Sequence, residues 1–584
     1  MPRKLPIVIF IVAALATFFY FIYTTNREAN MILINGRFYL LDTEDHVAEA
    51  VAIHGNRIIE VGTTASMLQE YKNVKVVDLQ GKTVFPGFID GHGHVLGEGG
   101  YLQNLDLVGT TSAQQIADLV AGKVHAVHTE QWIYGRGWDQ NRWQKEEFPD
   151  HEILDKVSPN NPVVLRRVDG HAMWVNSKVL QIAGVTAATP DPDGGKIYRD
   201  VKGVPTGVLV DNAMNLIDKI IPELTADEIA ERLKLATHEC AKLGLTEVHD
   251  MGVDLQTIEI YKKLIDEGEC PIRIYAAIGD ATTSLDETRP GTNAWQYYLE
   301  HGKEVGYGNG MLTVRAIKLY MDGALGSRGA ALLDSYSDDP GNRGLTLTHE
   351  SELDSICQQA LQHGFQVCVH AIGDRANHIV LNEYEKVLNS VPNKSISPRW
   401  RIEHAQILEQ SDIPRFKQIG VLPSMQPTHG TSDMYWAELR LGSERIKGAY
   451  AWQSVLKTGA DIIAGSDFPV ESPNPLWGFY AAITRRDRTG YPQDGWRWEE
   501  RMTRLQAARA FTTWAAYGSF EENTKGQIRP GQWADLTVLS KDIMQIPPEE
   551  ILKTDVDMTI VGGKIVYEKP AAAPADTTAN SGTQ

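Results

Sequence analysis

Eight short apolar runs recur through the middle of the chain, each ending in polar or glycine residues and each followed by a helical pattern. They are Val84 to Ile89, Thr246 to Val248, Ile272 to Ile278, Val314 to Tyr320, Gln366 to Val369, Trp400 to Ile402, Gly420 to Ser424 and Asp461 to Ala464. Strands that alternate with helices over this span predict an α/β chain built on a parallel (β/α)8 TIM barrel, with its chemistry at the C-terminal ends of the strands.

The texture at the two ends differs. Ile32 to Ile34, Arg37 to Leu41, Ala50 to Ile53, Arg57 to Val61 and Val74 to Leu79 are short strand signals, with Asn35-Gly36 and Gly55-Asn56 as hairpin turns between some of them. The same pattern returns in Ala534 to Leu539, Met558 to Val561 and Lys564 to Tyr567, around Gly562-Gly563. One composite β-sandwich from both ends, residues 31–82 and 526–568, is the expectation. The barrel then takes residues 83–98 and 245–525.

Between the first and second runs lies far more chain than one helix needs. Residues 99–244 read as an inserted α+β subdomain, rich in tryptophan (Trp132, Trp138, Trp143, Trp174) and with a helical pattern at Thr225 to Leu243. Inserted in a strand-to-helix loop, it would overhang the barrel mouth. Residues 570–584, rich in Ala, Pro, Thr and Ser, read as a disordered tail.

Arg3 and Lys4 precede an apolar run, Ile7 to Tyr23, at the short end of the roughly 17 to 25 residues that span a bilayer. Residues 1–26 are therefore a membrane anchor or a signal peptide. Cleavage after Ala14-Leu15-Ala16 would leave Phe18 to Tyr23 exposed, which favours an uncleaved anchor with everything after Thr24 outside the cytoplasm, periplasmic in a Gram-negative cell. Secretion after cleavage is the alternative.

Composition narrows the rest. The chain of 584 residues is too long for a single core, and its 42% apolar and 22% charged content is that of a globular protein. A net charge of -19 argues against a nucleic-acid partner, which needs a basic face. Cys240, Cys270, Cys357 and Cys368 show no metal-binding spacing and read as buried thiols, with a disulfide left open in an oxidising compartment. Oligomeric state is not fixed by the sequence, and a homo-oligomer stays open.

The candidate chemistry sits on the strand ends. His92 and His94, two residues apart in extended chain, share a face and can reach one metal. Lys318, His370, His404 and Asp467 follow on the fourth, fifth, sixth and eighth runs. A lysine flanked by Ala316, Ile317, Leu319 and Tyr320 is costly to bury unless its charge is removed or paired. Nitrogen and oxygen donors without thiolate suit Zn2+, with manganese, iron and nickel also compatible.

The motifs Gly-Phe-Ile-Asp-Gly-His-Gly-His, Lys-Leu-Tyr-Met-Asp-Gly-Ala-Leu-Gly-Ser-Arg-Gly-Ala, His-Ala-Ile-Gly-Asp, Ile-Glu-His-Ala-Gln and Gly-Ser-Asp-Phe-Pro resemble the metal-dependent amidohydrolase superfamily. Within it the chain is similar to the amidohydrolase 3 branch, the N-substituted formamide deformylase-like members, over roughly residues 31–568. The resemblance implies two divalent cations and a CO2-derived carbamate on Lys318 that bridges them. His92, His94 and Asp467 would hold one cation and His370 and His404 the other.

Asp467 would serve as catalytic base and acid for a water that attacks an amide-type carbonyl. The implied substrate is a small N-formyl or N-acyl compound, with cyclic amide hydrolysis, deamination and non-catalytic ligand binding as alternatives. Trp138, Asp139, Trp143, His171 and Trp174 in the insertion, and Asp322, Ser327, Arg328, Asp374 and His429 on the barrel rim, are candidate substrate contacts.

Overall fold

The computed structural model describes residues 28–570, apart from 141–142, 146, 168–171, 193–194, 280, 282–293 and 391–396. The anticipated anchor (1–26) and nearly all of the tail (571–584) lie outside the described residues. Among the described residues no helix is long and apolar enough to cross a membrane.

All eight barrel strands are present. In chain order they are Phe88–Gly93, Leu245–Val253, Arg273–Ile278, Leu312–Tyr320, Gln366–Ala371, Arg401–His404, Leu422–Met425 and Ile463–Ala464. They pair in that sequence, each parallel to its neighbour, and form a (β/α)8 TIM barrel.

The ring closes between the first and last strands by an unusual route. Asp467 N–H donates to His92 O at 2.7 Å and His94 N–H to Phe468 O at 2.8 Å. Asp90 reinforces the closure, accepting from Ser466 N–H at 3.0 Å and from the Ser466 hydroxyl at 2.6 Å. Small residues let the two chains approach: a Cβ on Gly91 would lie 2.2 Å from Ile463 Cγ2, and one on Gly465 2.5 Å from His92 N.

The first run, Val84 to Ile89, is divided by the structure. Thr83–Pro86 pairs with Leu536–Leu539 and Arg37–Tyr39 in a sandwich sheet, and the barrel strand begins only at Phe88. The division falls at Pro86-Gly87, where Pro86 has no N–H to give a ladder and Gly87 N–H turns to Asp535 O at 2.8 Å.

Two sheets make the composite sandwich. One joins Met31–Ile34, Ala50–His54, Arg57–Gly62 and Lys75–Asp78; the other joins strands from both parts of the chain. Leu33, Phe38, Val51, Ile53, Val84, Leu536, Val538 and Ile560 share their core. Period-2 alternation puts these side chains on the inner faces, so neither end of the chain can bury its apolar face without the other.

Leu96–Leu235 forms a second compact unit. Its six-stranded sheet runs from Leu105–Asp106 through Ile133–Trp138, Val163–Arg167, Ala172–Val175 and Pro205–Asp211 to Gly195–Arg199. The helix Ala113–Val124 buries Ile116, Ala117 and Val120 in this unit. Cys240, Cys270, Cys357 and Cys368 are buried thiols outside any disulfide.

Candidate metal centre

His92 ends the first barrel strand with its side chain fully buried. Its Nδ1 stands 2.6 Å from Glu403 Oε2. Burial alone would raise the Glu403 carboxyl, but Arg401 and His92 outweigh it and hold the group well below its usual range. An ionised carboxylate can only accept, so His92 Nδ1 carries the proton and Nε2 presents a lone pair. Burial and the neighbouring Lys318 hold the ring neutral, its pKa lowered to about 3.

Lys318 donates to that Nε2 at 3.3 Å. The lysine is 1% exposed, and desolvation lowers its pKa. His94 fixes its Nδ1 on Met251 O at 2.7 Å and directs Nε2 to Asp467 Oδ1 at 3.1 Å. His404 fixes Nδ1 on Gln426 Oε1 at 2.8 Å, and its ring lies 4.8 Å from that of His92 and 4.5 Å from that of His370. Burial holds both His370 and His404 well below the usual imidazole range.

The sixth and eighth strands bend to deliver their donors. His404 (φ 72°) and Asp467 (φ 62°) both sit in the left-handed region, costly for non-glycine residues and common where side chains are aimed at a site. Burial pushes the Asp467 carboxyl up, but the contact with His94 and the other imidazoles around it bring it well below the usual range.

Beneath the donors runs a chain of buried charges. Arg401 pairs with Glu403 at 2.7 Å and also reaches Gly91 O, Ser424 Oγ and His249 Nδ1. His249 Nε2 contacts Glu247 Oε1 at 3.2 Å, and Glu247 pairs with Lys525. Lys525 in turn lies 2.5 Å from Glu521. Every polar group from Glu247 to His92 thus has a partner, which is what makes charge tolerable in a barrel interior.

The rim residues do other work than sequence suggested. Asp322 is 1% exposed and accepts from the N–H groups of Ala331, Ile372 and Gly373 at 2.8, 2.9 and 2.8 Å. Asp374 likewise spends Oδ1 on Leu333 and Arg375 N–H. Both carboxylates brace loops. Arg328 is paired with Asp338 at 3.0 Å, and Ser327 is exposed with its hydroxyl on Ala324 O.

Two of that group also approach the donors: His429 Nε2 lies 3.7 Å from Asp467 Oδ2, and Asp322 Oδ1 lies 3.6 Å from His370 Nε2. A small recess lies beside His429 and His404, lined also by Gln406, Gln426, Tyr450 and Trp452.

In the insertion, Trp138 is fully buried, donates its indole N–H to Leu165 O at 2.8 Å and packs against Trp143, Phe148 and Trp174. It is a core residue of that unit, and Trp174 donates to Asp150 O at 3.0 Å. Asp139 pairs with Arg167 at 3.0 Å. His171 lies outside the described residues.

The donor set fits divalent cations. The metal-facing atoms of His92, His94 and Asp467 lie within 4.8 Å of one another, as do those of His404, His429 and Asp467. His370 Nε2 and His429 Nε2 are sealed from solvent without hydrogen-bond partners. Imidazole nitrogens, a carboxylate and no thiolate are the donors such ions bind at neutral pH.

A model of the amidohydrolase family matches residues 75–567. The chain belongs to the amidohydrolase family. It is 32% identical over 547 residues to the putative amidohydrolase YtcJ of Bacillus subtilis (strain 168), covering 91% of this chain and 98% of that one. It is 27% identical over 556 residues to the N-substituted formamide deformylase of Arthrobacter pascens, covering 92% and 98%. The crystal structure of an uncharacterized metal-dependent hydrolase from Pyrococcus horikoshii OT3 superposes with a TM-score of 0.73 at 26% identity, covering 89% of this chain and 99% of that one. The protein is thus an enzyme, an amidohydrolase acting on carbon-nitrogen bonds, and its substrate is a small molecule.

Glu403, Arg401, His249 and Asp90 were missed as site residues. A signal for them exists: Arg401 and Glu403, Glu247 and His249, and Asp90 and His92 are each two apart, so each pair shares a strand face with a neighbouring charge or a donor.

Proposed function

We propose that this amidohydrolase hydrolyses a non-peptide amide-type bond of a small N-formyl or N-acyl compound, with His92, His94, Lys318, His370, His404 and Asp467 holding two divalent cations, Zn2+ by preference. The observation that carries the proposal is the convergence of those donors on one end of the barrel, with imidazole lone pairs left free for an ion. Cations held there would supply the Lewis acid that polarises a carbonyl and acidifies water.

The chain's own residues divide the remaining work. Asp467, ionised and in contact with His94, accepts the water proton and returns it to the leaving nitrogen. Glu403 keeps the proton of His92 on Nδ1, and Gln426 orients His404. Lys318, buried and driven towards its neutral form, is the nucleophilic amine that takes up CO2 and releases a proton to become a carbamate.

The similarity to an N-substituted formamide deformylase supports N-formyl amines as the first substrates to try. The N-terminal apolar run supports a membrane-tethered enzyme with its barrel outside the cytoplasm. Metal analysis of the purified protein, together with hydrolysis of N-formyl amines, N-acyl amino acids and cyclic amides, tests the proposal. Turnover of the first two classes that disappears on metal removal supports it; bound metal with no turnover in any class would point to a ligand-binding protein instead.

A further inference from the structure

We propose that His429 is a ligand of the second cation, beside His404 and Asp467. This rests on the metal-assisted hydrolysis proposed above and adds a donor that lies off the barrel strands, on the short helix Pro427–Ser432.

Asp467 stands between two imidazole groups. Its Oδ1 is 3.1 Å from His94 Nε2 and 3.5 Å from His92 Nε2, while Oδ2 is 3.7 Å from His429 Nε2. The last separation is too long for a hydrogen bond. It suits two donors on one ion, since bonds of roughly 2.0 to 2.1 Å at a tetrahedral angle place the donor atoms about 3.3 Å apart.

A second observation is independent of that distance. His429 Nε2 is closed off from solvent and bonded to nothing, although the side chain is only 12% exposed. A polar atom left so is uncommon in a folded protein. Its ring stacks on that of His404 at 5.9 Å and 20°, and His404 has committed Nδ1 to Gln426, leaving Nε2 as its donor. His404, His429 and Asp467 then offer two nitrogens and an oxygen to one ion, matching the set His92, His94 and Asp467 offers to the other.

The test counts metal. Wild-type protein, His429→Ala and His429→Gln are loaded with Co2+, freed of excess and analysed for bound metal and for visible absorption, with near-ultraviolet circular dichroism to verify the fold. Wild-type should hold two equivalents, and each folded variant should bind the second at least ten-fold more weakly and lose its absorption. The glutamine variant keeps side-chain volume should alanine fail to fold. Two equivalents held with wild-type affinity in either variant overturn the proposal. A single equivalent in wild-type overturns it while leaving metal-assisted hydrolysis in place, and no bound metal in wild-type removes both.

Discussion

Replacing Glu403 with glutamine changes one oxygen to an amide nitrogen and removes one charge from a site with no exposed surface. Glu403 accepts from His92 Nδ1 at 2.6 Å and pairs with Arg401 at 2.7 Å. Two separable effects should follow. Arg401 keeps its charge with no anion beside it, and breaking a buried pair from one side costs about 3 to 5 kcal/mol. His92 also loses the acceptor that fixes its tautomer, and such a loss weakens metal binding by about 10 to 100-fold, or roughly 1.4 to 2.7 kcal/mol.

Thermal unfolding of the metal-free variant reads the first effect, and competition with a chelator of known affinity reads the second. Arg401→Met/Glu403→Leu separates them. Removing both charges should restore part of the lost stability, less about 1 to 3 kcal/mol for groups such as Gly91 O that lose their donor, while metal affinity stays low. A Glu403→Gln protein with wild-type metal affinity and an unshifted unfolding midpoint would refute the role given to this carboxylate.

Lys318→Ala should lose metal and activity, and formate or acetate at high concentration should restore part of both; full metal content and normal turnover in the variant would exclude a carbamate there. Asp467→Asn should lose far more in turnover than in the Michaelis constant, since the amide keeps size but cannot carry the proton; steady-state kinetics at saturating metal reads the split. Chelation should lower the melting midpoint of the wild-type protein, because an ion at 100 times its dissociation constant contributes about 2.7 kcal/mol to the native state alone, and scanning calorimetry with and without chelator checks it. Trp138→Ala should cost the insertion about 3 to 5 kcal/mol through lost packing, with metal content unchanged; a stable variant with a raised Michaelis constant would return Trp138 to the substrate site.

The barrel was legible because each strand is an apolar run punctuated by glycine or polar residues, down to Ile463–Ala464, which is only two residues long but precedes Gly465-Ser466-Asp467. The donors on strand ends were legible because imidazole, amine and carboxylate groups interrupt those runs. Other features depend on partners distant in sequence. Glu403 looks like any polar strand residue until His92, 311 positions away, is seen against it. Val84 to Ile89 reads as one strand, although Pro86-Gly87 inside it is the signal that its two halves serve different sheets. Trp138 carries the same signal whether it lines a pocket or fills a core. His429 was visible as a histidine near the rim, but only its distance to Asp467 and its unbonded nitrogen distinguish a donor from a substrate contact.

The closure of the ring through Asp90 and Ser466 has a consequence for how the protein is made. The two residues are 376 positions apart, so at about 5 to 20 residues per second a ribosome needs roughly 20 to 75 s between delivering one and delivering the other. Throughout that interval Phe88 and Ile89 have one flank without its final neighbour, and His92 and His94 wait for the carboxylate that completes their set. The nascent barrel is an open, curling sheet with an unpaired edge, the state in which aggregation and chaperone capture compete with folding. A chain arrested on the ribosome before Gly465 emerges should therefore be protease-sensitive around Phe88 and unable to retain metal, whereas the released full-length chain should be protected there and retain it.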